Sequence, residues 1–260
     1  YGGIIAAVVD NSQTGGGSLI NNCAVSGSVS VSTPNQSYVG GIAGYTWHSI
    51  VSNCGADVAL SSASSGNTAY AGGIAALDGF SIIANSYALG SITADAGVNS
   101  ATIGGIAGMQ AGVAGNNYAD MTLKTSNTTM DIGSLVGRNT GIAVLSYGYY
   151  NAEKILQNGS VKQPAKDVGV NVTMFTTGVV KNTEGKTDAF LHSQELADLL
   201  IHNQCEEESL REDLANGISS YGITLRTGRI TIDSWKLDGT IVKQGNAPAL
   251  ADRVIETVAA

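Results

Sequence analysis

Positive charge is what this sequence has least of. No Lys or Arg precedes Lys124, so all 13 cations lie within residues 124–257. The first 120 residues carry only Asp10, Asp57, Asp78, Asp95 and Asp120, and the chain's formal net charge is −8. Nucleic acid is excluded as a partner, because neutralising phosphates takes clustered Lys and Arg. Anionic membrane surfaces are excluded on the same ground. No stretch approaches the roughly 20 apolar residues of a membrane span, so direct membrane insertion is not expected. Three cysteines (Cys23, Cys54, Cys205) show no CxxC or Cys/His metal spacing, and an odd count excludes a complete disulfide framework. Only 3 prolines accompany 34 glycines, which points to tight turns on a regular framework and not to a Pro-rich linker. Charged residues make up 13%, about half the usual share, while 43% of residues are hydrophobic, enough for a core. The solvent face of the first half must therefore be Ser, Thr, Asn, Gly and Gln. There is no basic-then-apolar leader. The chain opens inside a repeat, at Tyr1-Gly2-Gly3, so it is expected to be cut from a longer protein, and the missing leader says nothing about secretion.

What is present is a repeat. Aligned on the double glycine, Gly2-Gly3-Ile4 is followed by Gly40-Gly41-Ile42, Gly72-Gly73-Ile74, Gly104-Gly105-Ile106 and Gly133-Ser134-Leu135, at spacings of 38, 32, 32 and 29 residues. A second signature follows each by about a dozen residues: Asn22-Cys23-Ala24, Asn53-Cys54-Gly55, Asn85-Ser86-Tyr87, Asn116-Asn117-Tyr118, and a degenerate Leu145-Ser146-Tyr147. Two signatures in one period make the repeat real. Helical repeats would need long segments at 3.6 spacing. Here Val25-Ser26-Gly27-Ser28-Val29-Ser30-Val31-Ser32 alternates with period two, as a strand does.

Each unit supplies two or three short strands that cannot bury their Ile, Val and Ala alone but can when stacked. The expected fold is all-β, a parallel β-solenoid of about five coils at roughly 4.8 Å per coil, or about 20–25 Å of rod. Equivalent residues then form columns. Asn22, Asn53, Asn85 and Asn116 stand at a strand entry, where Asn tolerates left-handed geometry and its amide reaches the next coil. Gly40, Gly41, Gly72, Gly73, Gly104 and Gly105 mark corners that need either a positive φ or close backbone approach. Ile42, Ile74, Ile106 and Leu135 should stack inward. Asn53→Leu or Gly72→Val should therefore cost far more stability than a loop change such as Ser64→Ala.

The segments YVGGIAG…SNCGADV, YAGGIAA…ANSYALGSI and TIGGIAG…NNYADMTL resemble the GLUG repeat, whose pattern runs GGLVG, a loop, then NCYATG and a strand. The resemblance covers about residues 1–150. The first copy departs by a long insertion, and the last by Ser134 for the second Gly and Leu145 for the Asn. The family occurs in large secreted bacterial proteins: haemagglutinin-like adhesins, cell-wall-anchored proteins, and non-catalytic regions of IgA-specific metallopeptidases. The resemblance implies a secreted or cell-surface bacterial location and a stalk or adhesive role. The alternative it carries is a spacer within a large secreted peptidase or carbohydrate-active enzyme.

Beyond Asn151 the period fades and charge appears, giving repeats over 1–153 and a terminal coil with an α+β cap over 154–260. Ser193 followed by Glu195, with Leu196, Leu199 and Leu200 on one face, predicts a short amphipathic helix. A second helix over Glu206–Asn216, a hairpin through Ile223–Ile232 and a Trp235…Leu250 segment complete the expected cap of the solenoid's open end, and resemble the unit that closes such arrays.

Chemistry-bearing residues are few. His48, His192 and His202 do not form an HExxH pair. Glu206, Glu207 and Glu208 suit a helix first turn, and neither a GGxGxD run nor an EF-hand loop supports calcium. A lyase needs a base beside a cation, and the repeats supply no cation before Lys124. No enzymatic activity and no cofactor are expected. Cys23 and Cys54 occupy equivalent positions in adjacent coils and should be neighbouring buried thiols, because stacked parallel residues rarely meet disulfide geometry. The candidate ligand contact is Tyr45-Thr46-Trp47-His48, directly after a Gly-Gly corner. Trp47 either tucks over the next coil or offers its face to a sugar. The expected partners are a host glycan or protein and neighbouring domains of the same polypeptide.

Overall fold

The computed structural model describes residues 1–10, 18–97, 101–126, 130–140, 143–172 and 179–204. The chain is an all-β parallel β-solenoid of about five turns, each coil passing through three sheets. The first face is a four-stranded sheet of Ser37–Gly40, Ala69–Gly72, Ala101–Gly104 and Met130–Gly133. The second face has six strands: Ala6–Asp10, Ala43–Trp47, Ala75–Gly79, Ala107–Gln110, Val136–Asn139 and Val168–Asn171. The third face has two limbs, a short strand such as Ser49–Ser52 and a long one such as Gly55–Ser64, meeting at the Asn turn. The ladders are parallel throughout except where Ile155–Asn158 and Val161–Pro164 form an antiparallel hairpin.

The double glycine is a close-approach corner. Among the described glycines only Gly27, Gly90 and Gly159 have positive φ, so neither member of the pair needs left-handed freedom. A Cβ on Gly40, Gly72 or Gly104 would instead lie 1.9 Å from the carbonyl oxygen of Ala43, Ala75 or Ala107 three residues on. The same test corrects the alignment of the first copy. Gly2 bridges Val39, and it is a Cβ on Gly3 that would lie 2.2 Å from the Ala6 carbonyl. Gly3 is therefore the partner of Gly40, one position later than the sequence alignment places it.

The Asn column is left-handed throughout, with φ of 56°, 53°, 49° and 52° at Asn22, Asn53, Asn85 and Asn116. Its amides link coils: Asn116 Nδ2 donates to Asn85 Oδ1 at 2.9 Å, and Asn53 Nδ2 to Asn21 Oδ1 at 2.8 Å. Because Gly115 pairs with Ser146, the next member is Tyr147 (φ 51°), not Leu145, which pairs with Ala114 in the core. Ser146 in turn pairs with Lys181, and Asn182 repeats the turn at φ 55°. The ladders thus run on through Glu184–Lys186, past the point where the sequence period fades.

Inside, Ile42, Ile74, Ile106 and Leu135 form the expected column and are all fully buried, beside Val39, Ala71, Ile103 and Ile132. Among the described residues the first-coil strands pair only with the next coil, and Ile4, Ile5, Val8 and Leu19 are exposed. Ser64 is no neutral loop position. It is buried, donates to the Asn35 carbonyl at 2.5 Å and accepts from the Asn67 amide, which ties two loops together.

Two short helices follow, α1 (Asp188–Leu191) and α2 (Gln194–His202). Ser193 caps α2 by accepting from the Leu196 amide, as the sequence predicts. Leu191, Leu196, Ala197 and Leu200 pack on the outward tyrosines Tyr87, Tyr118 and Tyr149 of successive long strands. The helices therefore lie along the flank of several coils, whereas the sequence reading has them across the open end. The physical reason is that column of large rings, an apolar stripe that needs its own cover. Asn116 Nδ2 donates to the Leu200 carbonyl at 2.9 Å, and Asn203 Nδ2 to the Tyr149 hydroxyl at 2.9 Å, which lock α2 in place. Cys205, Glu206–Glu208, the second helix, the hairpin and the Trp235…Leu250 segment lie outside the described residues.

Candidate functional site: an aromatic corner

Alternation on the strands decides which side chains reach the outside of the corner. Before the glycines Tyr38 points out and Val39 in; after them Thr46 is buried between the half-buried Tyr45 and Trp47. Because Gly40 and Gly41 let the chain turn so sharply, Tyr38 and Tyr45 meet edge-on across the corner, their ring centroids 6.4 Å apart. Along the rod, Tyr38 stacks between Tyr1 and Tyr70, at 4.8 Å on each side. That distance is one coil spacing. Tyr45 lies parallel to Trp47 at 6.1 Å, Trp47 meets Phe80 edge-on at 4.8 Å, and His48 stacks on Phe80 at 5.6 Å. His48 and Phe80 occupy matching left-handed turns, with φ of 46° and 50°.

The three residues singled out in the sequence are therefore brought together, within a larger patch that includes Tyr1, Tyr38, Tyr70 and Phe80. A usable signal for the missed tyrosines exists. Each stands two residues before the first corner glycine, but the pattern shows only once Gly3 is aligned with Gly40.

The geometry decides between the two placements of Trp47. A Cβ on Gly79, its register partner in the next coil, would lie 2.2 Å from the indole. The ring is tucked onto that glycine. The faces of Tyr38 are likewise occupied by its neighbours, so the patch offers hydroxyls and ring edges. Burial, helped by Tyr70, Tyr1 and Tyr45 nearby, pushes the Tyr38 phenol up to about 12. Its hydroxyl stays a donor and reaches Gln36 Oε1 at 2.7 Å. Burial also raises the Tyr45 phenol, with Asp10 adding to the effect.

Further along, the same outer positions change character. The Tyr38 column continues as Tyr70, Thr102 and Asp131, and the Tyr45 column as Leu77, Met109 and Arg138. Where Tyr38 met Tyr45, Asp131 and Arg138 form an ion pair.

The remaining candidates lie outside this patch, and Cys23 and Cys54 are neighbours, as expected of equivalent positions in adjacent coils. Cys23 and Cys54 are free thiols in adjacent coils, Cys54 buried and Cys23 half-buried. Burial pushes the Cys54 thiol up to about 12, and it donates to the Ser52 carbonyl at 3.1 Å. His192 lies against Asp188 at the surface, far in sequence from His48. Among the described residues no three His, Cys, Asp or Glu side chains gather, and no helix is long and apolar enough to cross a membrane.

Comparison with known proteins agrees with this architecture. Residues 35–61, the coil that carries Tyr38, Tyr45 and Trp47, match the GLUG motif. No curated protein matches the chain. Among solved structures, a Bacteroides ovatus protein provisionally assigned as an immunoglobulin A1 protease shares the fold, with a TM-score of 0.56 at 23% identity. The match covers 76% of this chain, which spans only 57% of the other.

Proposed function

We propose that this chain is a non-enzymatic structural and adhesive module of a large secreted or surface-anchored bacterial protein. It acts as a stiff stalk segment and presents its aromatic corner to a host glycan or protein. The observation that carries the reading is the contiguous patch from Tyr70 through Tyr38 and Tyr45 to Trp47 on one edge of an otherwise Ser/Thr/Asn-rich rod. Clustered aromatic rings with no Lys or Arg in the same coils suit a neutral partner. Hydroxyls and ring edges suit a sugar chain or a flat polar protein surface.

The test is a glycan and matrix-protein array probed with the chain and with a Tyr1→Ser, Tyr45→Ser double variant. Binding that the double variant loses supports the contact role. Binding that the variant retains puts the contact elsewhere, and no binding at all leaves the stalk role alone. A second reading is an accessory or spacer segment of a large secreted peptidase, favoured by the shared architecture with the Bacteroides ovatus protein. The full-length reading frame separates the two: an HExxH domain on the same polypeptide selects the peptidase, and a cell-wall anchor selects the adhesin.

A further inference from the structure

Six residues beyond the first corner glycine of each coil, an inward-facing position is polar where its neighbours are apolar. Thr46, Asp78, Gln110 and Asn139 pair in register as one column on the second face. All four are fully buried. Both carboxylate oxygens of Asp78, Oε1 of Gln110 and both amide atoms of Asn139 have no hydrogen-bond partner.

The orientation of Gln110 is fixed. Its Nε2 donates to the Val144 carbonyl at 2.8 Å and the Gly112 carbonyl at 3.1 Å. Flipping the amide would set Oε1 against two carbonyl oxygens, so Oε1 is held as an acceptor without a donor. Asp78 and Gln110 are direct register partners in adjacent coils, both fully buried and both with orphan oxygens. The Thr46 hydroxyl has one proton and lies 3.3 Å from the Leu77 carbonyl, beside Asp78. Asp78 and Gln110 thus hold orphan acceptors, the unpaired donor of the column being Asn139 Nδ2 at its far end, and each buried orphan of this kind is costly.

A cation removes that cost more completely than a donor. Stacked oxygens one coil apart are separated by roughly 4.8 Å, which is two metal–oxygen bonds of about 2.4 Å for a hard ion the size of calcium or sodium. Asp78 is the one carboxylate in the column, and the remaining oxygens are neutral. A single positive charge balances the site, while a divalent ion would leave an unbalanced charge in a low-dielectric interior.

We propose that the Thr46–Asp78–Gln110–Asn139 column is a structural site for a monovalent cation of sodium size, held between coils by Asp78 and Gln110. Asp78 supplies the charge, and Gln110 Oε1 faces it from the next coil. The strong upward pKa shift that burial imposes on Asp78, only partly opposed by the nearby Ser81 amide and Thr46 hydroxyl, fits an anion that lacks its counter-ion.

The experiment is thermal unfolding of the whole chain at constant pH and ionic strength, in sodium, potassium or choline chloride, with a calcium chloride arm. Sodium should raise the midpoint over choline by roughly 3–8 °C in a saturable way. The Asp78→Asn variant should unfold at one temperature in sodium and choline. A midpoint in the wild type that ignores the cation would overturn the site and leave a proton on Asp78 or an internal water as the partner. A sodium effect that survives in Asp78→Asn would overturn the assignment to this column. A calcium response larger than the sodium response would overturn the monovalent choice. Should Asp78→Asn fail to fold, Gln110→Met takes its place: it should lose most of the wild-type difference between sodium and choline, and a difference that survives in it would overturn the assignment.

Discussion

The two ends of one outer corner share a backbone and differ in chemistry. In the coil of Tyr38 and Tyr45 the corner is closed by aromatic contacts; further along the same columns, Asp131 and Arg138 close it with an ion pair. The glycines beneath are the same in kind, since a Cβ on Gly40 or Gly133 would lie 1.9 or 2.1 Å from the carbonyl three residues on. The comparison separates what the fold requires from what it tolerates. Inward columns and corner glycines are held by sterics, whereas outward columns are free to carry whatever the surface needs.

Breaking the shared part should produce the largest effect. Gly72→Val puts a branched side chain where even a Cβ lies 1.9 Å from the Ala75 carbonyl. It should cost more than about 4 kcal/mol in urea unfolding, or abolish folding. A cost below about 1 kcal/mol would show that the corner can open.

The next largest effect contrasts a carboxylate inside the rod with one outside. Asp78 is fully buried without an ionic partner, and Asp131 faces outward and is paired with Arg138. Because the folded pKa of Asp78 is raised, the native state keeps its proton to a higher pH than the unfolded chain does. The stability this group contributes is present below about pH 4, the unfolded value, and is lost as pH rises through the folded value. The slope is up to about 1.4 kcal/mol per pH unit. In choline buffer the difference in stability between wild type and Asp78→Asn should therefore fall with rising pH, and sodium should flatten it.

Smaller again are the outer columns themselves. Tyr38→Ala removes a ring stacked on both sides and should cost roughly 1–3 kcal/mol. Arg138→Ala, at an ion pair whose Arg side chain is 35% exposed, should cost less than about 1 kcal/mol. Equal costs by chemical denaturation would mean that the aromatic end is no more structural than the ionic end.

Much of the inward part was legible in the sequence. The isoleucine column, the Asn turns and the double-glycine corners all repeat in residue type, because sterics leave few alternatives. Legibility failed where a backbone position kept its shape but changed its residue. Tyr147 takes the left-handed turn of the Asn column, so alignment by residue type slid to Leu145. Tyr1-Gly2-Gly3 offered two glycines to a one-glycine match and was aligned one residue early. The flank position of α2 was hidden because Tyr87, Tyr118 and Tyr149 belong to three different coils, and only stacking makes them one surface. The candidate site was half legible: Tyr45, Trp47 and His48 are close in sequence, but Tyr1, Tyr38, Tyr70 and Phe80 join them only across coils. The Thr46–Asp78–Gln110–Asn139 column shares polarity but not identity, and no search for a repeated residue finds it.

The stacked register itself is tested most directly by distance. Ser28, Ala59, Ser91 and Thr122 are successive partners on the long strands of the third face. Spin labels on Ser28 and Thr122, both exposed, report the separation across that stack. Pulsed electron double resonance should give a narrow distribution consistent with a Cα separation of roughly 14 Å. Stacked helical pairs, at about 10 Å per layer, would place them near 30 Å, and a distribution centred there would contradict the solenoid.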